Sequence, residues 1–332
     1  HTYDEIKSQT KAWAQALSVA SSLKLPRAED YDHVVFTGCG STYYLSLAAA
    51  AVYQELTGRA ARAVPGSELL LNPQVALTNE STLLIAISRS GTTTETVRAV
   101  EKFRKEKRGE VLAVGNYDTT LMHLADVSAI IDSGQEESIA QTRSFASMFV
   151  AASSLAARMA GRNDLLVAMA NLAGLGNKLM AQHEARAKQA GSNLGFDRFY
   201  FLGSGVRYGL ACEASLKMKE MTLTHSEPFH FLEFRHGPIS MVNKDAVVVG
   251  LLSDANGVHE AKVLSDVERH GGTVLSLGET GADICFNSGI PESVRGVLYL
   301  PVLQLLAYYR ALEKGLNPDK PQNLAAVVEL DL

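Results

Sequence analysis

The sequence predicts an α/β protein of two tandem doubly wound domains, each a parallel sheet covered by helices on both faces (an α/β/α sandwich). Three observations lead there. A strand–Gly-x-Gly–helix unit occurs twice, about half a chain apart. Short apolar runs alternate with helical stretches. Those runs lack the strict in–out alternation of a sheet that is wet on one side.

The first copy of the repeated unit runs His33-Val34-Val35-Phe36-Thr37-Gly38-Cys39-Gly40 and enters the Ala-rich helical stretch Ser41–Ala48. The second runs Arg198-Phe199-Tyr200-Phe201-Leu202-Gly203-Ser204-Gly205 and enters a helix through Tyr208-Gly209-Leu210-Ala211. Phe36 and Phe201, Gly38 and Gly203, Gly40 and Gly205, and Tyr43 and Tyr208 share one offset, the mark of an internal duplication. Further strands are expected at Leu83–Ser88, Glu110–Val114 and Val127–Ile131 in the first half. In the second half they are expected at Ala246–Ser253, Thr273–Leu277 and Val297–Leu300, with a helix over Val258–His270. Residues Ala151–Gly195, mostly Ala, Leu and Met at helical spacing, are expected to form the helices that bridge the two halves. The expected division is a first domain over 1–160, with an N-terminal helix, and a second over 161–332 that includes the linking helix and the C-terminal tail. That tail turns loop-like through Gly315, Pro318 and Pro321.

Composition narrows the function classes. At 332 residues, 46% hydrophobic and 20% charged, the chain has ample material for a packed core. Its 31 basic and 36 acidic residues give a net charge of −5 with no basic block, which argues against nucleic-acid and anionic-membrane partners. No apolar run approaches the roughly 18 residues of a membrane span. The first residues, Thr2-Tyr3-Asp4-Glu5, are charged rather than apolar, so no signal peptide is expected. Cys39, Cys212 and Cys285 are scattered and lack CxxC spacing, which speaks for a reducing, cytoplasmic setting and against a thiolate zinc site.

Three constellations carry chemistry. In the first, the strand ending at Ser88 opens into Arg89-Ser90-Gly91-Thr92-Thr93-Thr94-Glu95, a hydroxyl-rich loop at a helix start. Unpaired N–H groups and a partial positive charge suit such a place to a phosphate. Thr92 and Glu95 also have capping-box spacing, which by itself needs no ligand. The second is Gly38-x-Gly40-x-x-Tyr43 with its echo at Gly203, Gly205 and Tyr208. Tyrosine stands where a dinucleotide fingerprint has its third glycine, so nucleotide binding is poorly supported. The third is Glu213, Lys217 and Glu220 at helical spacing, followed by His225, Glu227, His230, Glu233, Arg235 and His236-Gly237-Pro238. Helical spacing alone makes the trio a solvated face with i,i+3 and i,i+4 ion pairs. The histidines lack metal-ligand spacing, and His236 is expected in a loop.

Together these pieces resemble the SIS (sugar isomerase) family, in particular the double-SIS isomerase half of glucosamine-6-phosphate synthase. They also resemble the group of tagatose-6-phosphate ketose/aldose isomerases and amino-sugar-phosphate deaminases. The motifs that carry the resemblance are Gly38-Cys39-Gly40-Ser41-Thr42-Tyr43, Ser88-Arg89-Ser90-Gly91-Thr92-Thr93, Thr142-Arg143-Ser144-Phe145, the stretch from Glu213 to Glu220, and Phe234-Arg235-His236-Gly237-Pro238. The resemblance implies two flavodoxin-like SIS domains. It implies that Ser88, Ser90 and Thr93, with Thr42, hold a sugar phosphate. Arg89, standing where the synthase pattern has Gln, would add a cation to that grip.

Glu220 matches the family's base and His236 its ring-opening histidine, supplied in relatives by a neighbouring subunit; a homodimer with shared sites follows. Lys217 joins the catalytic set, and Gly40, Ser41, Gln141, Thr142 and Ala326 the substrate-contacting positions. Ala326 stands where the synthase has an imine-forming lysine, and the resemblance begins at the isomerase part. Synthesis of glucosamine phosphate is therefore not expected. No metal or organic cofactor is implied. The expected substrate is a hexose 6-phosphate, either isomerised or, as a 2-amino sugar, deaminated. The competing expectation is a non-catalytic phosphosugar sensor.

Overall fold

The computed structural model describes residues 1–106, 108–325 and Leu330. Its contacts divide into two compact units. The first holds Ser8–Glu136 and Gln141–Ala173, with Ala325 and Leu330 of the tail; the second holds His1–Lys7, Glu137–Ala140 and Gly174–Leu324. No described helix is long and apolar enough to cross a membrane.

In chain order the first half runs α1 (Thr2–Ser22), β1 (His33–Gly38), α2 (Ser41–Thr57), β2 (Ala61–Pro65), α3 (Gly66–Leu71), α4 (Pro73–Ala76), β3 (Thr82–Ile87), α5 (Thr94–Lys105), β4 (Val111–Gly115), α6 (Thr120–Leu124) and β5 (Val127–Ile130). Then come α7 (Arg143–Met159), α8 (Asn163–Met169) and α9 (Leu172–Ser192). The second half continues β6 (Arg198–Leu202), α10 (Val206–Thr222), β7 (His225–Phe229), β8 (Ala246–Leu251), α11 (Gly257–Arg269), β9 (Thr273–Gly278), β10 (Ile284–Cys285) and α12 (Leu300–Glu313).

All strand pairs are parallel, and both sheets have one order: β2-β1-β3-β4-β5 in the first unit and β7-β6-β8-β9-β10 in the second. The chain is an α/β protein of two tandem doubly wound domains. In each, the strand order reverses beside the first strand of the unit, leaving a crevice at the C-terminal ends of β1 and β3, or of β6 and β8.

The central strands follow from their composition. Every residue of β3, β4 and β8 is buried, as runs such as Ala246-Val247-Val248-Val249-Gly250-Leu251 require when both faces are covered. The covering helices match each other. α5 buries Thr96, Ala99, Val100 and Phe103, and α11 buries Glu260, Val263, Leu264 and Val267, each at i, i+3, i+4 and i+7. The glycine turns match as well. A Cβ on Gly38 would lie 2.6 Å from Thr42 Oγ1, and one on Gly203 2.3 Å from the Arg207 carbonyl, so both turns need the bare backbone.

Two readings of the sequence need correction. Val297–Leu300 is not a strand: Gly296–Tyr299 is a 3-10 turn leading into α12, with Pro301 in its first turn, and the fifth strand is Ile284–Cys285. An apolar run buried on all sides has no period that separates strand from helix. The second correction concerns α10. Glu213 and Lys217 are buried, not on a solvated face.

Two edge strands, β2 and β7, lack the apolar run that marks the central strands. Both are partly polar and contain proline (Pro65 and Pro228), which edge positions tolerate because one side of the strand needs no ladder donor.

Candidate active site

The crevice of the first unit is shaped by the turn after β3. Ser88 is buried, and its Oγ accepts the Gly91 N–H at 3.0 Å and lies 3.5 Å from Thr93 Oγ1. Ser90 Oγ accepts the Thr92 N–H at 3.2 Å and the Thr92 hydroxyl at 3.1 Å. Gly91 makes this geometry available: its φ is +66°, and a Cβ there would sit 2.3 Å from Thr119 Oγ1. Thr119 in turn donates to the Ser90 carbonyl at 2.5 Å.

The capping box does not form. Helix α5 starts at Thr94 with Thr93 as N-cap, and no side-chain cap closes its first turn. The sharp turn at Gly91 carries the Thr92 hydroxyl back onto Ser90 instead. An uncapped first turn beside three hydroxyl side chains offers N–H donors to an anion. The tail meets the same turn, where the Leu330 N–H donates to Thr94 Oγ1 at 3.2 Å.

The neighbouring turn after β1 is more self-contained. Thr42 Oγ1 accepts the Cys39 N–H and donates to the Cys39 carbonyl, both at 2.9 Å. Ser41 is buried, and Gly40 is the N-cap of α2. Arg89 is also buried, with Nη1 3.7 Å from Glu136 Oε2. Thr142 is bound to the same carboxylate through its N–H and its hydroxyl, each at 2.8 Å, while Gln141 is half-buried. Ala326 lies outside the described residues.

In the second unit, α10 carries the charged trio. Lys217 Nζ donates to Glu220 Oε2 at 2.5 Å and lies 3.3 Å from Glu213 Oε1. Burial by itself would lower the Lys217 pKa, but the charges and hydrogen bonds of Glu213 and Glu220 outweigh it and raise it. Lys217 therefore stays an ammonium. Glu213 is almost wholly buried, whereas the Glu220 side chain keeps 20% of its surface exposed. The trio has two carboxylates, one ammonium and a single opening, at Glu220.

The histidines go separate ways. His225 is exposed on edge strand β7, 3.8 Å from Glu227, and His230 stacks on Tyr208 with ring centroids 3.8 Å apart. His236 is exposed, at the end of the 3-10 turn Glu233–Arg235. That turn is pinned from both sides. Phe234 is buried against Tyr200 and Phe229, and Arg235 Nε donates to Asp266 at 2.6 Å. Burial pushes the Cys212 thiol up to about 12, so it is no thiolate nucleophile at neutral pH. Among the described residues no cluster of His, Cys, Asp or Glu is suited to hold a metal ion.

The SIS domain matches this chain twice, over residues 29–158 and 196–284. The chain belongs to the SIS family. The glutamine–fructose-6-phosphate aminotransferase (isomerizing) of Pyrococcus horikoshii is 31% identical over 91% of this chain and 52% of its own length. This SIS chain thus spans about half the length of the curated relatives it matches. Among solved structures, a glucosamine-6-phosphate deaminase from Thermotoga maritima superposes with a TM-score of 0.87 at 26% identity, covering 99% of both chains. The tagatose-6-phosphate ketose/aldose isomerase of Escherichia coli shares the fold, with a TM-score of 0.84 at 21% identity over 96% of this chain and 95% of its own.

Proposed function

We propose that this SIS protein is an enzyme acting on a hexose 6-phosphate, with release of ammonia from a 2-amino-2-deoxy sugar as the favoured reaction and aldose–ketose isomerisation as the second. The observation that carries the reading is the uncapped, hydroxyl-lined start of α5 at the first crevice, a place built to take an anion. Ser88, Ser90 and Thr93 would receive the phosphate. The full-length likeness to a glucosamine-6-phosphate deaminase supports the amino-sugar branch.

Glu220 is the proposed base. Sugar phosphates rest mainly as rings, so a proton must first pass between the ring oxygen and the anomeric hydroxyl. An imidazole of reference pKa about 6.5 is suited to that step, and His236 is proposed for it. Glu220 then takes the proton from C2 and returns it to C1. With oxygen at C2 the product is the ketose. With nitrogen there the product is an imine, which water hydrolyses to ketone and ammonia. Lys217 donates to Glu220 and orients its carboxylate. The exposure of His236 supports its service in a second copy's site, as in a homodimer.

The test is one end-product assay with glucosamine 6-phosphate, galactosamine 6-phosphate, tagatose 6-phosphate and fructose 6-phosphate. Ammonia release is expected from an amino sugar. Conversion between ketose and aldose alone selects the isomerase, and tight binding without any turnover makes the chain a sensor.

A further inference from the structure

We propose that Glu136 is a positioning residue for the phosphate loop, acting through Arg89 and through the N-terminus of α7; the proposal rests on the reading of Ser88–Thr93 as that loop. Glu136 lies between β5 and α7, and its side chain is 0% exposed. Its carboxylate accepts the Thr142 N–H and hydroxyl at 2.8 Å each, the Ser144 N–H at 3.1 Å, and the Ser144 hydroxyl. Its main chain is tied as well, since the Tyr117 hydroxyl donates to the Glu136 carbonyl at 3.1 Å and accepts its N–H at 3.2 Å. The charge is thus seated on the first turn of a 17-residue helix, where the backbone dipole favours it.

A carboxylate this deeply buried and this fully hydrogen-bonded has one orientation. Arg89, itself only 9% exposed, is drawn to it at 3.7 Å. That separation is an ion pair rather than a direct hydrogen bond. The effect on the loop is specific. Arg89 stands between Ser88 and Ser90, the two proposed phosphate contacts. Its carbonyl accepts the Asn116 N–H at 3.1 Å while its guanidinium is held by Glu136. The loop is therefore fixed by its main chain and its side chain before a ligand arrives, which is the condition for strong binding by neutral hydroxyls. Without the carboxylate, the guanidinium loses this buried counter-charge beside Ser88 and Ser90, and the hydroxyls lose their set positions.

The experiment compares Glu136→Gln, Arg89→Gln and the double variant in the full chain, with Ser90→Ala as reference. The affinities of glucosamine 6-phosphate and inorganic phosphate are measured by calorimetry, turnover is assayed, and folding is checked by circular dichroism. Each single variant is expected to weaken both ligands about tenfold while kcat falls less than KM rises, and the double variant is expected to be no worse than the weaker single one. Unchanged affinity in Glu136→Gln, or losses that multiply in the double variant, overturns the proposal. Should Glu136→Gln fail to fold, Arg89→Gln leaves the α7 cap intact, and unchanged phosphate affinity there overturns it equally. If Ser90→Ala also binds normally, the phosphate loop itself is refuted; if only Ser90→Ala is weakened, the loop stands and the role of Glu136 falls.

Discussion

The crevice after β3 and the crevice after β8 are made from the same parts, yet the second adds charged groups that the turn at Gly91 lacks. In the first, the N–H groups of Gly91 and Thr92 are met by hydroxyls, Ser88 and Ser90. In the second, the chain supplies its own anions. Glu260 accepts the Ser253 N–H at 2.7 Å and Glu292 accepts the Asp254 N–H at 3.0 Å. Arg207, which the repeat offset places opposite Thr42, pairs with Glu292, and Arg295 pairs with Asp254. A hydroxyl acceptor leaves a crevice neutral and open to a phosphate. Carboxylates repel one, even though the Asn256 N–H still donates to Ser253 Oγ at 2.9 Å as the Gly91 N–H does to Ser88 Oγ. The doubly wound topology provides the crevice twice; side-chain chemistry lines the first with hydroxyls and fills the second with ion pairs.

The largest effect that tests this division is on turnover. Glu220→Gln should lower kcat by roughly 10²–10⁴-fold, the usual worth of a general base, with phosphosugar affinity nearly unchanged. A fully active variant removes Glu220 from the mechanism. The next effect belongs to the second crevice. Arg207→Ala should cost about 2 kcal/mol in urea unfolding, below the 3–5 kcal/mol of a fully buried pair because Glu292 retains some solvent. Inorganic phosphate affinity should not change. A clear loss of affinity there would mean that the second crevice also binds an anion.

Ser90→Ala should weaken phosphosugar binding by about 1 kcal/mol, roughly fivefold, by calorimetry. The smallest effect concerns acid stability in the second unit. Burial alone would raise the Glu184 pKa, but hydrogen bonds from Lys7, Tyr309 and Tyr3 overcome it and lower the value to about 2. Because the folded-state pKa is depressed, the stabilisation is fully present above the unfolded value of 4.5 and is lost as pH falls towards 2. Glu184→Gln should flatten the decline of melting temperature across that window. An unchanged slope would show that Glu184 is not tied down in solution.

Much of this was legible in the residues. The glycine turns at Gly38 and Gly203 announced the duplication, and the wholly buried β3, β4 and β8 appeared as unbroken apolar runs. The polar, proline-bearing edge strands β2 and β7 had no such run to show. The Glu213–Lys217–Glu220 trio was visible as a spacing and wrongly placed in water, because i,i+3 and i,i+4 ion pairs look alike on wet and dry helix faces. Glu136 had no signal. It sits in Gln135-Glu136-Glu137-Ser138, a polar stretch without periodicity that reads as surface.

What the order of residues determined alone is the α/β class, the twofold repeat and the hydroxyl loop after Ser88, for these rest on local periodicity and turn chemistry. Only the folded chain decided which polar groups are dry: the buried ammonium of Lys217, the carboxylate of Glu136 under Arg89, and the self-filled crevice around Arg207 and Glu292. Burial of a charge depends on partners far along the chain, such as Glu292 for Arg207, and no local pattern records a distant partner.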